Sequence, residues 1–240
     1  MGIFIPIDYY AQILNEVGRF KIITMRNLYG TLNVELSYSL FCRKVKKLEY
    51  EGLIRSITGM RKSKILTLTN KGSQYSKFGA QYSDSDKELN HDLIASNVIL
   101  ELNKLPTFEA GSVIHSADQT GIESDGLIFF SKGDKKGTLG IEVELTQKSK
   151  IRIVKKFCDY TDSKEISYSL FIFNKESVFR AYKNQLDSMV NEVSDSNLLL
   201  LDEGLSSNSF SFFDKEVYFR RKYTNFKDIF GIEHFSGSHT

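Results

Sequence analysis

The sequence predicts two modules: a basic, mostly helical one that ends in a β-hairpin, then an α/β domain with a mixed central sheet flanked by helices. Three observations predict this. Residues 1–80 hold 13 Lys and Arg against 5 Asp and Glu, giving +8, while residues 81–240 hold 19 against 25, giving −6. Apolar residues recur at helical spacing through the first part before two β-rich runs. The second part reads helix, hairpin, helix, strand, helix, strand, an order that builds a sheet with helices packed on it.

Composition narrows the class. The chain has 240 residues, 41% apolar and 26% charged, as a folded globular protein does. No apolar run approaches the roughly 18 residues that a membrane helix needs. The start "MGIFIPIDYY" lacks the basic flank and small-residue cleavage site of a signal peptide. Gly2 is not a myristoylation start, since Pro6 stands where Ser or Thr is required. The expectation is a cytoplasmic protein with no membrane partner. Cys42 and Cys158 sit in predicted helices without a CxxC or Cys/His cluster, which argues against zinc or disulfides and for buried thiols.

In chain order, Ile7 to Phe20 has helical spacing, and "TMRNLYGTL" is a short second helix ended by Gly30. "VELSYSLFCRKVKKLEYEGLI" sets Leu36, Leu40, Val45, Leu48 and Leu53 near one face, with Arg43, Lys44, Lys46 and Lys47 largely on the others. Gly52 is a helix stop. Two short strands follow, Ile54 to Ile57 and Lys64 to Thr69, joined by a basic turn. Such a basic module suits a polyanion, although a solvated basic face reads the same on charge alone.

This order resembles a winged helix-turn-helix of the MarR-like type, with "LEYEGLI" closing the recognition helix and "LTLTNKG" closing the wing. The resemblance covers about 70 residues. It implies that Arg43, Lys44 and Lys47 meet a DNA major groove, while Arg61, Lys62 and Lys64 reach phosphate or the minor groove. The same architecture also serves dimerisation or protein contact. "GAQYSDSDK", residues 79–87, is polar and aperiodic, so the modules are placed at 1–80 and 81–240.

From Glu88 the pattern reads helix to about Lys104, extended Thr107 to His115, strand Gly126 to Phe130, turn, strand Thr138 to Leu145 and helix Lys148 to Thr161. Strand Ile166 to Asn174, helix Ser177 to Val193 and strand Asn197 to Leu201 follow. Within it, "LGIEVELTQKSK" puts Glu142 and Glu144 on one strand face, opposite Leu139, Ile141 and Val143. Alone, that pattern describes a solvent-facing edge. With Asp125 heading the preceding strand, the hairpin gathers three carboxylates, which repel unless a cation holds them. An oxygen-only set suits Mg²⁺ or Mn²⁺.

Asp125 followed by Glu142-Val143-Glu144 resembles the PD-(D/E)XK nuclease signature, which implies a restriction-endonuclease-like fold, metal on Asp125, Glu142 and Glu144, and hydrolysis of a phosphodiester. Two departures stand out. Ser124 replaces the family's Pro, and Glu144 occupies the usual Lys position, leaving Lys148 to supply the missing charge. "NHDLIASNVI", "SDGLIFF", "EVELTQKSK" and "KKFCDYTD" are also similar to MobC-type mobilization relaxases and replication-relaxation proteins. That resemblance implies nicking at a plasmid transfer origin. The implied partners are double-stranded and locally single-stranded origin DNA, an accessory relaxosome protein and a type IV coupling protein; a homodimer is also compatible.

His91, beside Glu88 and Asp92, is a candidate to orient water or phosphate. Arg152, Lys155 and Lys156 either neutralise phosphate or form a solvated helix face. Tyr160 fits packing on the sheet better than a covalent role. The aromatic, basic tail "FSFFDKEVYFRRKYTNF" reads as a final strand and packed tail, with base stacking as the other option. The alternatives to a nicking nuclease are a DNA-binding regulator with an idle second domain and a double-strand nuclease.

Overall fold

The structure is a computed structural model that describes residues 4–32, 35–59, 63–78, 86–113, 122–206, 210, 212 and 215–231, with backbone alone at 86–88. The chain divides into two compact units, Met1–Ser96 and Asn97–Thr240. Arg61, Lys62, Glu88's side chain and His115 lie outside the described residues, as do 79–85 of the expected linker.

The first unit runs α1 (Tyr9–Phe20), β1 (Ile22–Thr24), α2 (Met25–Thr31), α3 (Tyr38–Tyr50), β2 (Ile54–Thr58), β3 (Lys64–Leu68), the single turn α4 (Asn70–Ser73) and the first part of α5 (Asp86–Leu102). The three strands form an antiparallel sheet in the order β1-β3-β2. Thr24 and Ser37 start α2 and α3 by accepting from the amides of Asn27 and Leu40. Ile13, Leu14, Val17, Phe41, Val45 and Leu48 are fully buried where the helices meet.

The two sequence motifs of this unit meet in space. Gly52 takes φ +69, which ends α3 and which residues with a Cβ rarely adopt. The Thr69 amide then donates to Leu53 O at 3.1 Å, its hydroxyl donates to Gly52 O at 2.6 Å, and the same hydroxyl accepts from Gly72 N at 3.0 Å. A Cβ on Gly72 would lie 1.8 Å from the Leu53 carbonyl oxygen. "EGL" and "TNKG" are therefore the two halves of one joint.

The second unit holds the rest of α5, then β4 (Phe108–Val113), β5 (Gly126–Lys132), β6 (Lys135–Glu144), α6 (Lys150–Asp162), β7 (Tyr168–Phe173), α7 (Glu176–Asp187), the single turn α8 (Asn191–Ser194), β8 (Asn197–Leu201), β9 (Glu216–Phe219), β10 (Lys222–Asn225) and α9 (Phe226–Phe230). These ten-residue and shorter strands form one mixed sheet, β10-β9-β8-β7-β6-β5-β4. β6 pairs antiparallel with β5 and parallel with β7, so it is a central strand. The expected helix Ser177 to Val193 is divided: α7 stops at Asp187, and the chain is extended at Val190 before α8.

One face of the sheet carries an aromatic core. Phe157 and Tyr160 of α6, Phe171 and Phe173 of β7, and Phe179, Tyr182 and Leu186 of α7 are buried together. The tail aromatics belong to the packing. Phe226 and Phe230 are buried, with Phe226 stacked on Phe108 at 6.0 Å and Phe230 against Phe130 at 5.3 Å between ring centres. Cys42 and Cys158 are free thiols but only half-buried, because each sits beside its helix's buried stripe rather than on it. Among the described residues no helix is long and apolar enough to cross a membrane.

Candidate functional site

Strand alternation places Gly140, Glu142 and Glu144 on the face of β6 that looks toward α6 and α7. Central placement buries both carboxylates: Glu142 is 1% and Glu144 3% exposed. A solvent-facing edge is therefore not what this stretch forms. Asp125 arrives from the neighbouring strand, its amide donating to Ile141 O at 3.0 Å and its Oδ2 accepting from Val143 N at 2.6 Å. That bond locks the Asp125 carboxylate against β6 beside Glu142.

The cation on Glu142 comes from α6. Lys156 and Tyr160 are one helical turn apart, so both reach the same carboxylate: Lys156 Nζ donates to Oε2 and the Tyr160 hydroxyl donates to Oε1. Gly140 makes room, since a Cβ there would lie 2.6 Å from Tyr160 Cε1. Lys156 also stands 3.9 Å from Glu144 Oε1, and Lys148 stands 3.9 Å from Glu144 Oε2. The cation that the sequence reading sought at Lys148 is thus supplied to Glu142 by Lys156. A lysine one turn before a buried tyrosine, on a helix following the Glu-x-Glu strand, was the available signal.

Burial raises the Glu142 carboxyl and the Asp125 charge adds to it, pushing it up to about 8 against the opposing pull of Lys156 and Tyr160. Glu144 is raised as well, chiefly by burial. Burial works against the Lys156 charge, but Glu142 more than offsets it and the ammonium is held up. Burial and then Glu142 raise the Tyr160 hydroxyl, so it remains a hydrogen-bond donor.

Next to these groups lies a cavity of about 360 Å³ whose lining includes Glu144, Lys148, Arg152, Lys155, Lys156 and Tyr182. Glu144 and Tyr182 form its buried floor, and Arg152 and Lys155 its exposed rim. The Tyr182 hydroxyl is raised by burial and then by the Glu144 carboxylate beside it.

A divalent ion can be tested against the donor set. Asp125 and Glu142 are hard oxygen donors close enough for one charge to raise the other's pKa. Two carboxylates suit Mg²⁺ or Mn²⁺, which complete their shell with water and phosphate oxygens. Among the described residues no group of three or more His, Cys, Asp and Glu side chains is already gathered around one point.

The remaining sequence candidates lie in the first unit. His91 Nδ1 is 3.8 Å from Asp92 Oδ1, and Asp92 Oδ2 pairs with Lys21 at 2.7 Å. Lys44 lies over the rings of Tyr9 and Tyr10, at 5.3 and 4.6 Å. Lys47 is bound to Glu51 at 2.6 Å, and Lys64 to Glu49 at 2.7 Å. Arg43 is exposed, and Lys46, at helical spacing from it, shares that open stripe with Ser39 and Tyr50. Lys46 therefore joins Arg43 as the cation pair on the free face of α3.

No family model matches the chain, and no curated protein matches it. Among solved structures, the restriction endonuclease FokI is similar at 12% identity with a TM-score of 0.27, over 74% of this chain and 39% of that one. This chain thus spans well under two thirds of that protein. A likeness at this level carries no argument about fold or activity.

Proposed function

We propose that the chain is a Mg²⁺- or Mn²⁺-dependent DNA endonuclease that nicks at a site selected by its N-terminal module. The observation that carries this reading is the buried Glu142 carboxylate on a central strand, beside Asp125 and held by Lys156 and Tyr160. Buried ionisable groups with shifted pKa values beside a cleft cluster at functional sites, and the lining of this cavity sets Lys148, Arg152, Lys155 and Lys156 beside Glu123, Glu144 and Asp159. Asp125 and Glu142 would hold the ion, which supplies Lewis-acid activation of water and of the scissile phosphate. Lys156 keeps Glu142 neutralised and, once the carboxylate is shared, presents its ammonium to developing negative charge. Lys148 faces the cavity, where it binds phosphate.

The first unit is read as a winged helix-turn-helix, supported by its helix order, its three-stranded antiparallel sheet and the free Arg43 and Lys46 on α3. A restriction-endonuclease-like second domain is supported by the mixed sheet that sets the carboxylates on adjacent strands. Origin nicking, an accessory protein and a coupling protein follow from the mobilization-relaxase resemblance alone.

A second reading has its own observation. Both oxygens of Glu142 are already engaged, as in a regulator whose second domain is idle. Supercoiled DNA carrying the cognate region separates the two, with wild type and Glu142→Gln compared in Mg²⁺ or Mn²⁺. The expected result is open circles that require both the ion and Glu142. Binding without nicking across every candidate origin refutes the enzyme.

A further inference from the structure

The two oxygens of Glu142 are held by groups of different freedom. Oε1 accepts from the Tyr160 hydroxyl, which belongs to a side chain 1% exposed and packed where a Cβ on Gly140 would come within 2.6 Å of its ring. That donor is fixed by packing. Oε2 accepts from Lys156, whose side chain is 32% exposed and lines the cavity. Its flexible, unbranched stem can leave that oxygen for the cavity by a change of rotamer, with α6 unmoved.

Lys156 stands where a divalent ion would also be drawn. Besides donating to Glu142, its ammonium lies 3.9 Å from Glu144 Oε1, and the charges of Glu142, Asp125 and Glu144 all act on it. Asp125 is kept beside Glu142 by the bond from Val143 N to its Oδ2 at 2.6 Å. One ammonium thus serves the same acids that are read as holding the ion. Two cations a few ångströms apart repel strongly where water is scarce, so ammonium and ion cannot both occupy Oε2. The neighbouring lysines have other partners: Lys155 is bound to Asp159 at 2.6 Å, and Lys148 stands 3.9 Å from Glu144 Oε2.

We propose that Lys156 and a divalent ion compete for Glu142 Oε2, the ion sending the ammonium into the cavity while Tyr160 keeps Oε1. The proposal rests on the nuclease reading in taking Asp125 and Glu142 as the ion's ligands. It adds a regulatory device. The site resists loading at low ion concentration, and loading delivers a mobile cation to the cavity.

The test uses the full chain without DNA. Mn²⁺ binding is followed by electron paramagnetic resonance, as loss of the free-ion signal, for wild type, Lys156→Met and Lys155→Met. Methionine keeps an unbranched stem and removes the charge. Lys156→Met should tighten Mn²⁺ binding about tenfold or more, because a competing cation is gone. Lys155→Met removes an exposed charge from the same rim and should change the affinity by less than about twofold. A second readout needs no variant: wild type is labelled with limiting acetic anhydride, and each lysine is scored by mass spectrometry. Saturating Mg²⁺ should raise acetylation of Lys156 several-fold relative to Lys155, which stays paired with Asp159. Unchanged or weaker Mn²⁺ binding in Lys156→Met, or equal gains in both variants, overturns the proposal. So does Lys156 labelling that falls or stays level when Mg²⁺ is added. Failure of nicking with the tighter binding and the release intact refutes the nuclease reading alone. Ion-dependent nicking with neither effect present refutes the competition alone.

Discussion

Glu142→Gln in the absence of metal measures directly how costly the buried carboxylate is. Burial and Asp125 lift this group from 4.5 to about 8. A raised carboxyl keeps its proton in the folded chain while the unfolded chain loses it, so the associated stability is complete below about pH 4.5 and is lost as pH rises through 8. The full span corresponds to about 5 kcal/mol, at about 1.4 kcal/mol per pH unit. Glutamine fixes the neutral form and does not titrate. The stability gap between variant and wild type should therefore widen in the variant's favour by about 3–4 kcal/mol between pH 5 and pH 8. Glu144, also raised, is present in both proteins and cancels. Urea titrations followed by far-ultraviolet circular dichroism, in chelator, read the gap at each pH. A constant gap from pH 5 to 8 would mean that Lys156 and Tyr160 keep Glu142 ionised throughout, and would refute the reasoning.

Further outcomes follow from the geometry of each unit. Mn²⁺ binding at pH 7 should release up to about one proton, because a carboxyl pushed up to about 8 is mostly protonated there; calorimetry in buffers of different ionisation enthalpy counts it, and Glu142→Gln should release none. Gly72→Ala puts a Cβ 1.8 Å from Leu53 O and should cost about 1–3 kcal/mol. Gly30→Ala, which meets nothing within 4 Å, should be neutral or stabilising by up to about 1 kcal/mol in the same urea titration. Arg43→Ala and Lys46→Ala should each lower the salt slope of duplex binding by about 0.9. Lys44→Ala, with its ammonium over Tyr9 and Tyr10, should instead cost about 0.5–1 kcal/mol of stability.

Elements with strong periodicity or punctuation were legible in the sequence. α1, α3, α6 and β8 fall where spacing predicts them, and Gly52 ends α3 as a left-handed residue. The missed elements lacked such signals. β1 is three residues long, and tertiary pairing with β3 creates it. The β9–β10 hairpin turns at Arg220 and Arg221, both with positive φ (52 and 59), where a two-residue turn usually carries Asn or Gly. Side chains that disfavour the left-handed region concealed the turn, so the tail read as one segment. Its aromatics read as a packed tail, with base stacking as the other option, and Phe226 and Phe230 pack on Phe108 and Phe130.

The candidate site divides along the same line. Period two put Glu142 and Glu144 on one face, but only pairing on both sides of β6 buries them. Which lysine serves them was a matter of helix phase across a loop of unknown length. Lys148 precedes α6 and remains 3.9 Å from Glu144, whereas Lys156, two turns into the helix and one turn before Tyr160, reaches Glu142. Gly140 fixes that phase, because only a strand without a Cβ at this point admits the Tyr160 ring. The glycine two residues before Glu142 thus sets which cation the carboxylate receives. Gly140→Ala should accordingly displace Tyr160, and a loss of metal affinity with Glu142 intact would trace the site's geometry to that missing methyl group.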